Sequence, residues 1–334
     1  MMKLFHLISL MFLISSTFIS ISASSWLGAW VGLEINLLSI IPILILSKNM
    51  RSSEATIKYF ITQIVASIMI LAFILLTMMQ LPNSYFGTPL SYQGISLALM
   101  LKMGAAPLHF WFPSVMEGLS WVSCSIIMTW QKITPIILLS FIVEMNTLTI
   151  MFISLSALIG AMGGLNQTSL KKIMAFSSIN HISWMLVAIS INENYWFTYF
   201  LIYSTMALSA SFLFFNYSLF NINQMWNFMN KTTISKITIL CIFMSMGGLP
   251  PFLGFFPKWI IIMKMINIHT ILVILLIMTS LLTLYFYTRL LFSALSMKSL
   301  SSTPNKNFKS NSLLDIFISF ISVSFLMLIP LISI

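Results

Sequence analysis

Charged residues are scarce in this 334-residue sequence: Asp, Glu, Lys and Arg make up 7% of it, and only six residues are acidic. A water-soluble domain usually has about a quarter of its residues charged, so this composition excludes a soluble globular protein. The hydrophobic share is 59% and the mean hydropathy is +1.01, which indicates that lipid is the solvent. The net charge of +10 does not indicate a nucleic-acid partner, because the basic residues never cluster densely enough to follow phosphates.

Cysteine is also scarce, since Cys124 and Cys241 are the only two and both lie in apolar runs. They fit neither a disulfide framework nor a zinc site, and we interpret them as small apolar side chains. The sequence contains no G-x-G-x-x-G motif, no P-loop lysine and no cysteine cluster that could hold an iron–sulfur centre. Redox or nucleotide chemistry would therefore have to occur in another polypeptide.

Long apolar runs, in contrast, are abundant, and a helix of about 20 apolar residues crosses a bilayer. The predicted fold class is an all-α polytopic membrane protein with about 11 transmembrane helices. The runs are 3–22, 25–47, 56–80, 91–113, 119–143, 147–165, 169–191, 195–220, 236–265, 269–297 and 312–333. For the first run a cleaved secretory signal is the alternative, because Lys3 precedes an apolar stretch that ends in small residues.

The basic residues support this count, because Lys and Arg gather on one side of a membrane. With eleven spans, the side opposite the N-terminus has a single basic residue, Lys264. The N-terminus is therefore predicted on the positive side and the C-terminus on the other. The positive side holds Lys3, Lys48, Arg51, Lys58, Lys171, Lys172, Lys231, Lys236, Lys298, Lys306 and Lys309.

Apart from the residues in the first or last turn of a span, five charged residues fall inside predicted spans, and near the bilayer centre each costs at least about 2.5–3.5 kcal/mol on insertion scales. Arg289 lies near a span end and can extend to the interface, whereas Glu34 and Lys132 lie near the middle of their helices. A structural ion pair is the alternative to a functional role, but one glutamate cannot neutralise three lysines. We therefore expect at least one lysine to exchange its proton readily, as a proton relay requires. The five residues are Glu34, Lys102, Lys132, Lys258 and Arg289.

Glycine and proline interrupt two spans in the same way. Met103-Gly104 is followed by Pro107, and Met246-Gly247 is followed by Pro250-Pro251, at an offset of about 143 residues. Proline removes a helix hydrogen bond, and with glycine at mid-membrane it predicts a discontinuous helix that faces a cavity. The breaks fall in the fourth and ninth spans, so the two halves run in opposite senses through the bilayer. This pattern predicts an inverted repeat, as in many secondary transporters.

We therefore predict a first five-helix repeat over residues 1–143, a second over 144–300, and a loop with one further C-terminal helix over 301–334. Gly28 and Gly32 precede Glu34 with a spacing that lets another helix approach closely.

Two histidines are weaker candidates for proton transfer. His109 follows Lys102 by seven residues across the Pro107 break, and His181 extends a row of hydroxyl residues in the seventh span. Histidine can carry protons near neutral pH, but a hydrogen-bonded packing role is an equally good interpretation of both residues.

Several segments together resemble the antiporter-like membrane-arm subunits of respiratory complex I, specifically the subunit 2 family of mitochondrial NADH dehydrogenase in its insect-like form. The resemblance spans nearly the whole chain, in order. It is carried by residues 102–111 (KMGAAPLHFW), 130–135 (WQKITP), 166–168 (NQT), 172–181 (KIMAFSSINH) and 248–259 (GLPPFLGFFPKW).

The resemblance implies roles for the buried charges. Glu34 would be the membrane glutamate that modulates Lys102 in the first broken helix, Lys132 the central connecting lysine, and Lys258 the lysine of the second broken helix. It also implies a place in the mitochondrial inner membrane, with the N-terminus on the matrix side and the C-terminus on the intermembrane-space side.

The resemblance further implies no cofactor in this chain, because FMN, the iron–sulfur clusters and ubiquinone belong to other subunits of the complex. The implied partners are neighbouring membrane-arm subunits, accessory subunits and phospholipids such as cardiolipin. Two alternatives remain open from the sequence: a stand-alone cation/proton antiporter built on the same repeat, and a membrane spacer that does not pump.

Overall fold

The computed structural model describes residues 2–45, 49–79, 87–225 and 233–295 of the chain. Within these ranges the regular elements are helices, accompanied by one isolated bridge between Ser169 and Asn221. Seven of the described helical stretches are long and apolar enough to cross a membrane. The prediction of an all-α membrane protein is therefore confirmed, while the count of eleven spans and the inverted repeat stay predictions.

The chain divides into two compact units, Met1–Thr149 and Ile150–Ile334. Among the described residues, the helices that begin in the first unit are α1 (Met2–Ser22), α2 (Trp26–Leu44), α3 (Met50–Met79), α4 (Gly87–Met103), α5 (Trp111–Gly118), α6 (Trp121–Met128), α7 (Trp130–Ser140) and α8 (Thr147–Leu165). Helix α8 continues into the second unit. There it is followed by α9 (Leu170–Ile191), α10 (Glu193–Asn216), α11 (Ile222–Met225), α12 (Thr233–Gly247), α13 (Phe255–Met265) and α14 (Thr270–Leu295). The predicted last span, 312–333, lies outside the described residues, as do Lys48, Lys231, Lys298, Lys306 and Lys309.

Small residues let the first two helices pack closely. A Cβ atom on Gly32 of α2 would lie 2.7 Å from the backbone nitrogen of Ser20 in α1, and one on Gly28 would lie 3.2 Å from Ala23. The contact with the Ser20 backbone requires glycine at position 32, so the close helix approach predicted from the Gly28–Gly32 spacing is confirmed at Gly32, while Gly28 packs against the turn after α1. Because lipid offers no strong driving force between apolar helices, such close backbone packing is a main source of their association.

Hydroxyl side chains in these helices are satisfied within their own helix. Ser16, Thr56 and Ser178, for example, donate to the carbonyl three residues earlier at 2.9, 2.7 and 2.7 Å. This local bond lets a polar residue enter the membrane without an unpaired donor. Serine and threonine can therefore be frequent in the spans without marking a functional site.

Both predicted breaks are present. Helix α4 ends at Met103 and α5 begins at Trp111, while α12 ends at Gly247 and α13 begins at Phe255. Each first half-helix ends in a Schellman motif, with a glycine at φ +78° and paired backbone hydrogen bonds. Gly104 and Gly248 are the two glycines with this positive φ. The equivalent positions are thus 104 and 248, one residue away from the Gly104–Gly247 match in the sequence.

A third interruption was not predicted. The span predicted over 119–143 consists of α6 and α7, which are separated at Thr129 with φ −113° and ψ −72°. The Thr129 hydroxyl donates to the Ser125 carbonyl at 2.7 Å. Lys132 therefore lies in the first turn of α7, directly after an irregular step in the helix.

Candidate functional site

The end of α4 places Lys102 beside the first break. Lys102 is in the last turn of this helix and is 7% exposed. Two side chains from elsewhere satisfy the carbonyls at this helix end: the Trp111 indole N–H donates to Leu101 at 3.2 Å, and the Gln63 amide donates to Lys102 at 3.4 Å. The Lys102 amine is therefore not needed to cap its own helix.

Lys102 and Lys132 line one internal cavity in the first unit. Its volume available to water centres is about 20 Å³, which is room for roughly one water molecule. Polar and apolar side chains of α2, α3, α4, α5, α6 and α7 surround it. They are Leu33, Asn36, Leu37, Tyr59, Gln63, Lys102, Met103, Trp111, Phe112, Ile127, Gln131, Lys132, Thr134 and Pro135.

A row of amides and a phenol crosses this cavity. The Gln131 amide donates to the Asn36 side-chain oxygen at 2.7 Å, and the Tyr59 hydroxyl donates to Gln131 Oε1 at 3.4 Å. The Asn36 side-chain nitrogen has no hydrogen-bond partner in the described part of the chain. A buried amide donor left unpaired costs about 1–3 kcal/mol, so this nitrogen is suited to hold a water molecule between the two lysines.

Lys132 is almost fully enclosed, at 2% exposure. Its Nζ lies 5.2 Å from the centre of the Phe112 ring, within the range of a cation–π interaction. Phe112 belongs to α5, just after the break, and it also lies against Gly104. The position of the first break and the position of the Lys132 amine are therefore linked through one aromatic ring.

Glu34 is near Lys102 but does not form a salt bridge with it. Its charge acts on Lys102, yet the one salt bridge among the described residues joins Lys58 and Glu54. Glu34 is partly exposed and does not line the cavity. It lies on the same stripe of α2 as Val31 and Leu38, which are 44% and 61% exposed. Glu34 thus lies on a partly exposed face of α2 and outside the lining of the lysine cavity.

A larger polar opening lies near this cavity, where α1 meets α2 and where α7 is followed by α8. It measures about 620 Å³ and includes Ser25, Gln93, Ser96 and Glu144. Ala29 and Leu138 line this opening, whereas Leu33 and Thr134 line the lysine cavity. On α2 and on α7, the residue that lines the polar opening and the residue that lines the lysine cavity are four positions apart, which is about 6 Å along the helix axis.

In the second unit, Lys258 caps the helix that ends at the break. Lys258 is the fourth residue of α13 and is 6% exposed. Its amine donates to the Gly247 carbonyl at 3.1 Å, at the negative end of the α12 dipole, where a cation is favoured. A Cβ atom on Gly248 would lie 2.9 Å from this amine, so a side chain at this position would displace the amine from the contact.

The two histidines have different surroundings. His109 lies in the first break, with Nδ1 3.2 Å from the Pro107 carbonyl and its ring centre 4.4 Å from that of Phe110. It does not line the lysine cavity. His181 is buried in α9, and its Nδ1 lies 2.8 Å from the Tyr199 hydroxyl. Their predicted roles in proton transfer stay predictions, and His181 has the more suitable partner.

Sequence reasoning did not identify the amides and the phenol at the cavity. Asn36 follows Glu34 by two residues, Gln63 is a lone amide in the apolar run of α3, and Gln131 precedes Lys132. Each is a polar side chain at mid-span that no local hydroxyl-to-carbonyl bond explains. That criterion would have found them.

Comparisons with known proteins agree with this architecture. The family described as NADH:quinone oxidoreductase/Mrp antiporter, TM, matches residues 23–283. The chain is 46% identical to NADH-ubiquinone oxidoreductase chain 2 of Anopheles gambiae, over 100% of this chain and 99% of that protein. It is 42% identical to the protein of the same name in Oryctolagus cuniculus, over 90% and 88% of the two chains.

Two solved structures share the fold. A chain of respiratory complex I from Thermus thermophilus, with bound aureothin, superposes with a TM-score of 0.86 at 19% identity, covering 98% of this chain and 79% of that chain. A chain of the Mrp complex from Dietzia sp. gives a TM-score of 0.83 at 13% identity, covering 97% and 75%. At these identities the likeness shows the fold alone. The whole-length identities above go further: this chain belongs to the NADH:quinone oxidoreductase/Mrp antiporter transmembrane family and, within it, to the NADH-ubiquinone oxidoreductase chain 2 proteins.

Proposed function

We propose that this chain is a core membrane-arm subunit of respiratory complex I, the NADH:ubiquinone oxidoreductase. It carries one antiporter-like proton-translocation unit, coupled to electron transfer from NADH to ubiquinone in other subunits. The whole-length identity to chain 2 proteins supports this function over a stand-alone cation/proton antiporter. The chain thus acts as part of an enzyme, and FMN, the iron–sulfur clusters and ubiquinone are bound elsewhere in the complex.

The observation that carries this proposal is the shared cavity of Lys102 and Lys132. Two buried amines beside a discontinuous helix, with a row of amides and room for one water, form a site that can hold and pass a proton. In such a confined site only one amine readily carries a charge, because like charges in a low-dielectric medium repel strongly. A proton held by Lys102 therefore favours the neutral form of Lys132, and the reverse.

Glu34 would set which lysine is charged. Glu34 lies on a partly exposed face of the first unit, which a neighbouring subunit of the complex would cover. A change in the charge of that neighbour changes the field at Lys102. A hundredfold change in proton affinity corresponds to about 2.7 kcal/mol, while moving one charge against 100 mV costs about 2.3 kcal/mol. The coupling is therefore large enough to drive translocation.

Protons would pass from the Lys102–Lys132 site toward Lys258 through side chains and ordered waters. The polar opening that includes Glu144 offers water access within about one helical turn of the lysine cavity. In the mitochondrial inner membrane, with the N-terminus in the matrix, this opening would face the intermembrane space. Accessory subunits and anionic phospholipids such as cardiolipin would cover other parts of the lipid-facing surface.

Replacing Lys102 with methionine tests the proposal. Lys102→Met keeps the length and volume of the side chain but removes the proton carrier, so we expect the complex to assemble and proton pumping to be lost. Proton translocation per NADH, measured in sealed membranes and related to the amount of assembled enzyme, gives the result. A normal proton stoichiometry would contradict the proposed function.

The matched control is Lys264→Met in the last turn of α13, outside the buried sites, which should pump normally. Purification tests the main alternative, a stand-alone cation/proton antiporter. If the purified chain transports ions when reconstituted alone, without a large redox assembly, the antiporter is favoured. Unimpaired pumping after neutralising Glu34, Lys102, Lys132 and Lys258 together would favour the spacer.

A further inference from the structure

Helix α9 of the second unit carries polar residues that packing alone does not require. Ser177, Ser178, Asn180 and His181 are each at most 4% exposed. The two serines donate to carbonyls of their own helix, and a hydroxyl oxygen that donates can also accept. A helix buried on all sides is normally apolar all round. The bonds within the helix explain the two serines, so Asn180 and His181 are the residues here that indicate a use other than packing.

Three tyrosines from two other helices meet this polar face. Tyr199 and Tyr203 of α10 and Tyr287 of α14 are each 1% exposed. The Tyr199 hydroxyl is 2.8 Å from His181 Nδ1, and the Tyr203 ring centre is 4.9 Å from that of the imidazole. We call His181, Ser177, Ser178 and these three tyrosines the tyrosine–histidine cluster.

Hydroxyl contacts continue on either side of His181. The Tyr203 phenol is hydrogen-bonded to Ser178, and the Tyr287 phenol lies beside Ser177 without a well-formed hydrogen bond. Two more buried polar atoms nearby in sequence, the Asn180 side-chain oxygen and the Trp184 indole nitrogen, also have no hydrogen-bond partner among the residues that the structure describes. Buried polar groups are almost always paired, so each of these atoms is a position that a bound water molecule would satisfy.

We propose that Tyr199 is the hydrogen-bond partner that orients His181 and accepts its Nδ1 proton, so that the tyrosine–histidine cluster carries protons within the second unit. This inference rests on the proposed function and adds a residue to it. A phenol both donates and accepts one hydrogen bond, and the two imidazole nitrogens exchange these roles between tautomers. The pair can therefore pass a proton without a lasting charge.

The proton step balances as follows. A proton binds His181 Nε2, and the Nδ1 proton then moves to the Tyr199 oxygen. The Tyr199 hydroxyl proton passes in turn to a water molecule, so that one proton enters, one leaves, and both rings end neutral. His181 is then in its other tautomer, with Nδ1 accepting from Tyr199. A second transfer in the same direction requires both the imidazole ring and the Tyr199 hydroxyl to turn, so that a ring N–H again points at the phenol oxygen and the hydroxyl hydrogen points away from the ring.

The test compares Tyr199→Phe, which removes one oxygen atom, with Tyr285→Phe in the assembled enzyme. Tyr285 is 59% exposed on α14 and serves as the matched control. We expect Tyr199→Phe to slow NADH-driven pumping per assembled enzyme about five-fold, the rate equivalent of one hydrogen bond of about 1 kcal/mol. The solvent deuterium isotope effect on coupled turnover should rise, because proton transfer becomes more rate-limiting.

A double variant separates a role through His181 from a general loss of packing. If Tyr199 acts through His181, then Tyr199→Phe combined with His181→Gln should be no slower than His181→Gln alone. Additive losses, or an unchanged isotope effect in Tyr199→Phe, would overturn the inference. If Tyr199→Phe lowers the amount of assembled enzyme, the solvent deuterium isotope effect is measured on the assembled fraction alone, and a rise there supports the role of Tyr199.

Lys102→Met in the same preparation keeps the two proposals distinguishable. If Lys102→Met pumps normally, the proposed function fails. If Lys102→Met does not pump while Tyr199→Phe pumps like the parent enzyme, only the role of the tyrosine–histidine cluster fails.

Discussion

The two interrupted helices of this protein end alike but are capped differently. Gly104 and Gly248 have the same φ of +78°, and each closes a Schellman motif. At the first break, Trp111 and Gln63 satisfy the carbonyls of the helix end. At the second break, the Lys258 amine satisfies the Gly247 carbonyl.

This difference shows how one backbone motif can hold a lysine in two ways. Lys102 precedes its break and is released from capping by an indole and an amide, so its amine is available to the cavity it shares with Lys132. Lys258 follows its break and is itself the cap. The first lysine is placed to exchange a proton with a neighbour, whereas the second must leave a helix end before it can move.

The largest expected difference is in the heat stability of two variants, Lys258→Met and Lys102→Met. Lys258→Met removes a hydrogen bond from an amine to a helix end, which is worth about 1.5–3 kcal/mol when the amine is charged, and leaves the Gly247 carbonyl unpaired. Lys102→Met removes no cap, and replacing a buried charge by an apolar side chain is often neutral or stabilising.

Thermal inactivation of the two assembled variants measures this contrast. Lys258→Met should inactivate at a lower temperature than the parent enzyme, and Lys102→Met should not. Equal losses in both variants would show that the two breaks are capped alike.

A smaller effect is expected from the glycines. Gly104→Ala and Gly248→Ala each place a side chain at positive φ, which costs about 1–2 kcal/mol. Gly248→Ala in addition brings a Cβ atom to 2.9 Å from the Lys258 amine and should displace it, so it should impair pumping more than Gly104→Ala does.

The Lys258→Met background serves as the reference for this pair. There the readout is heat resistance, since Lys258→Met removes a lysine of the proposed relay, and Gly248→Ala should lose no more of it than Gly104→Ala because no amine remains to be displaced. If the two glycine variants pump equally in the parent background, the link between Gly248 and Lys258 is wrong.

The smallest effect is expected at the indole of the first break. Trp111→Phe deletes one hydrogen bond to the Leu101 carbonyl and should cost about 1 kcal/mol, with a small loss of pumping because the end of α4 becomes less fixed. Trp30→Phe is the control, since its indole donates to the Ser67 carbonyl at 3.1 Å away from either break. The two variants should lose similar heat resistance, and only Trp111→Phe should change the pumping rate.

Local chemistry made part of the site predictable. Glycine and proline interrupt helices wherever they occur together, so the breaks near Pro107 and Pro250-Pro251 followed from the sequence. A lysine in an apolar run can also be recognised from the sequence alone, because a charge is rare in a membrane span. The predicted alignment of the two breaks was wrong by one residue. The matching Met-Gly pairs align Gly104 with Gly247, but the glycine that adopts positive φ at the second break is Gly248. Sequence identity does not say which glycine of a pair adopts positive φ.

Other features needed contacts between distant residues. Gln63 reaches the end of α4 from 39 residues away, and Gln131 pairs with Asn36 across 95 residues. The helix interruption at Thr129 could not be predicted, because neither glycine nor proline occurs at this position. The orientation of Glu34 depends on which face of α2 packs against α1, and a helix that is apolar all round does not reveal this face.

The sequence by itself determined the solvent, the helical class, the two breaks and the ionisable residues, because each depends on composition or on a local backbone preference. Tertiary structure decided which lysine is a cap and which is free, and which amides and phenols surround the amines. A buried charge is tolerated only through the groups packed around it, and those groups come from other helices.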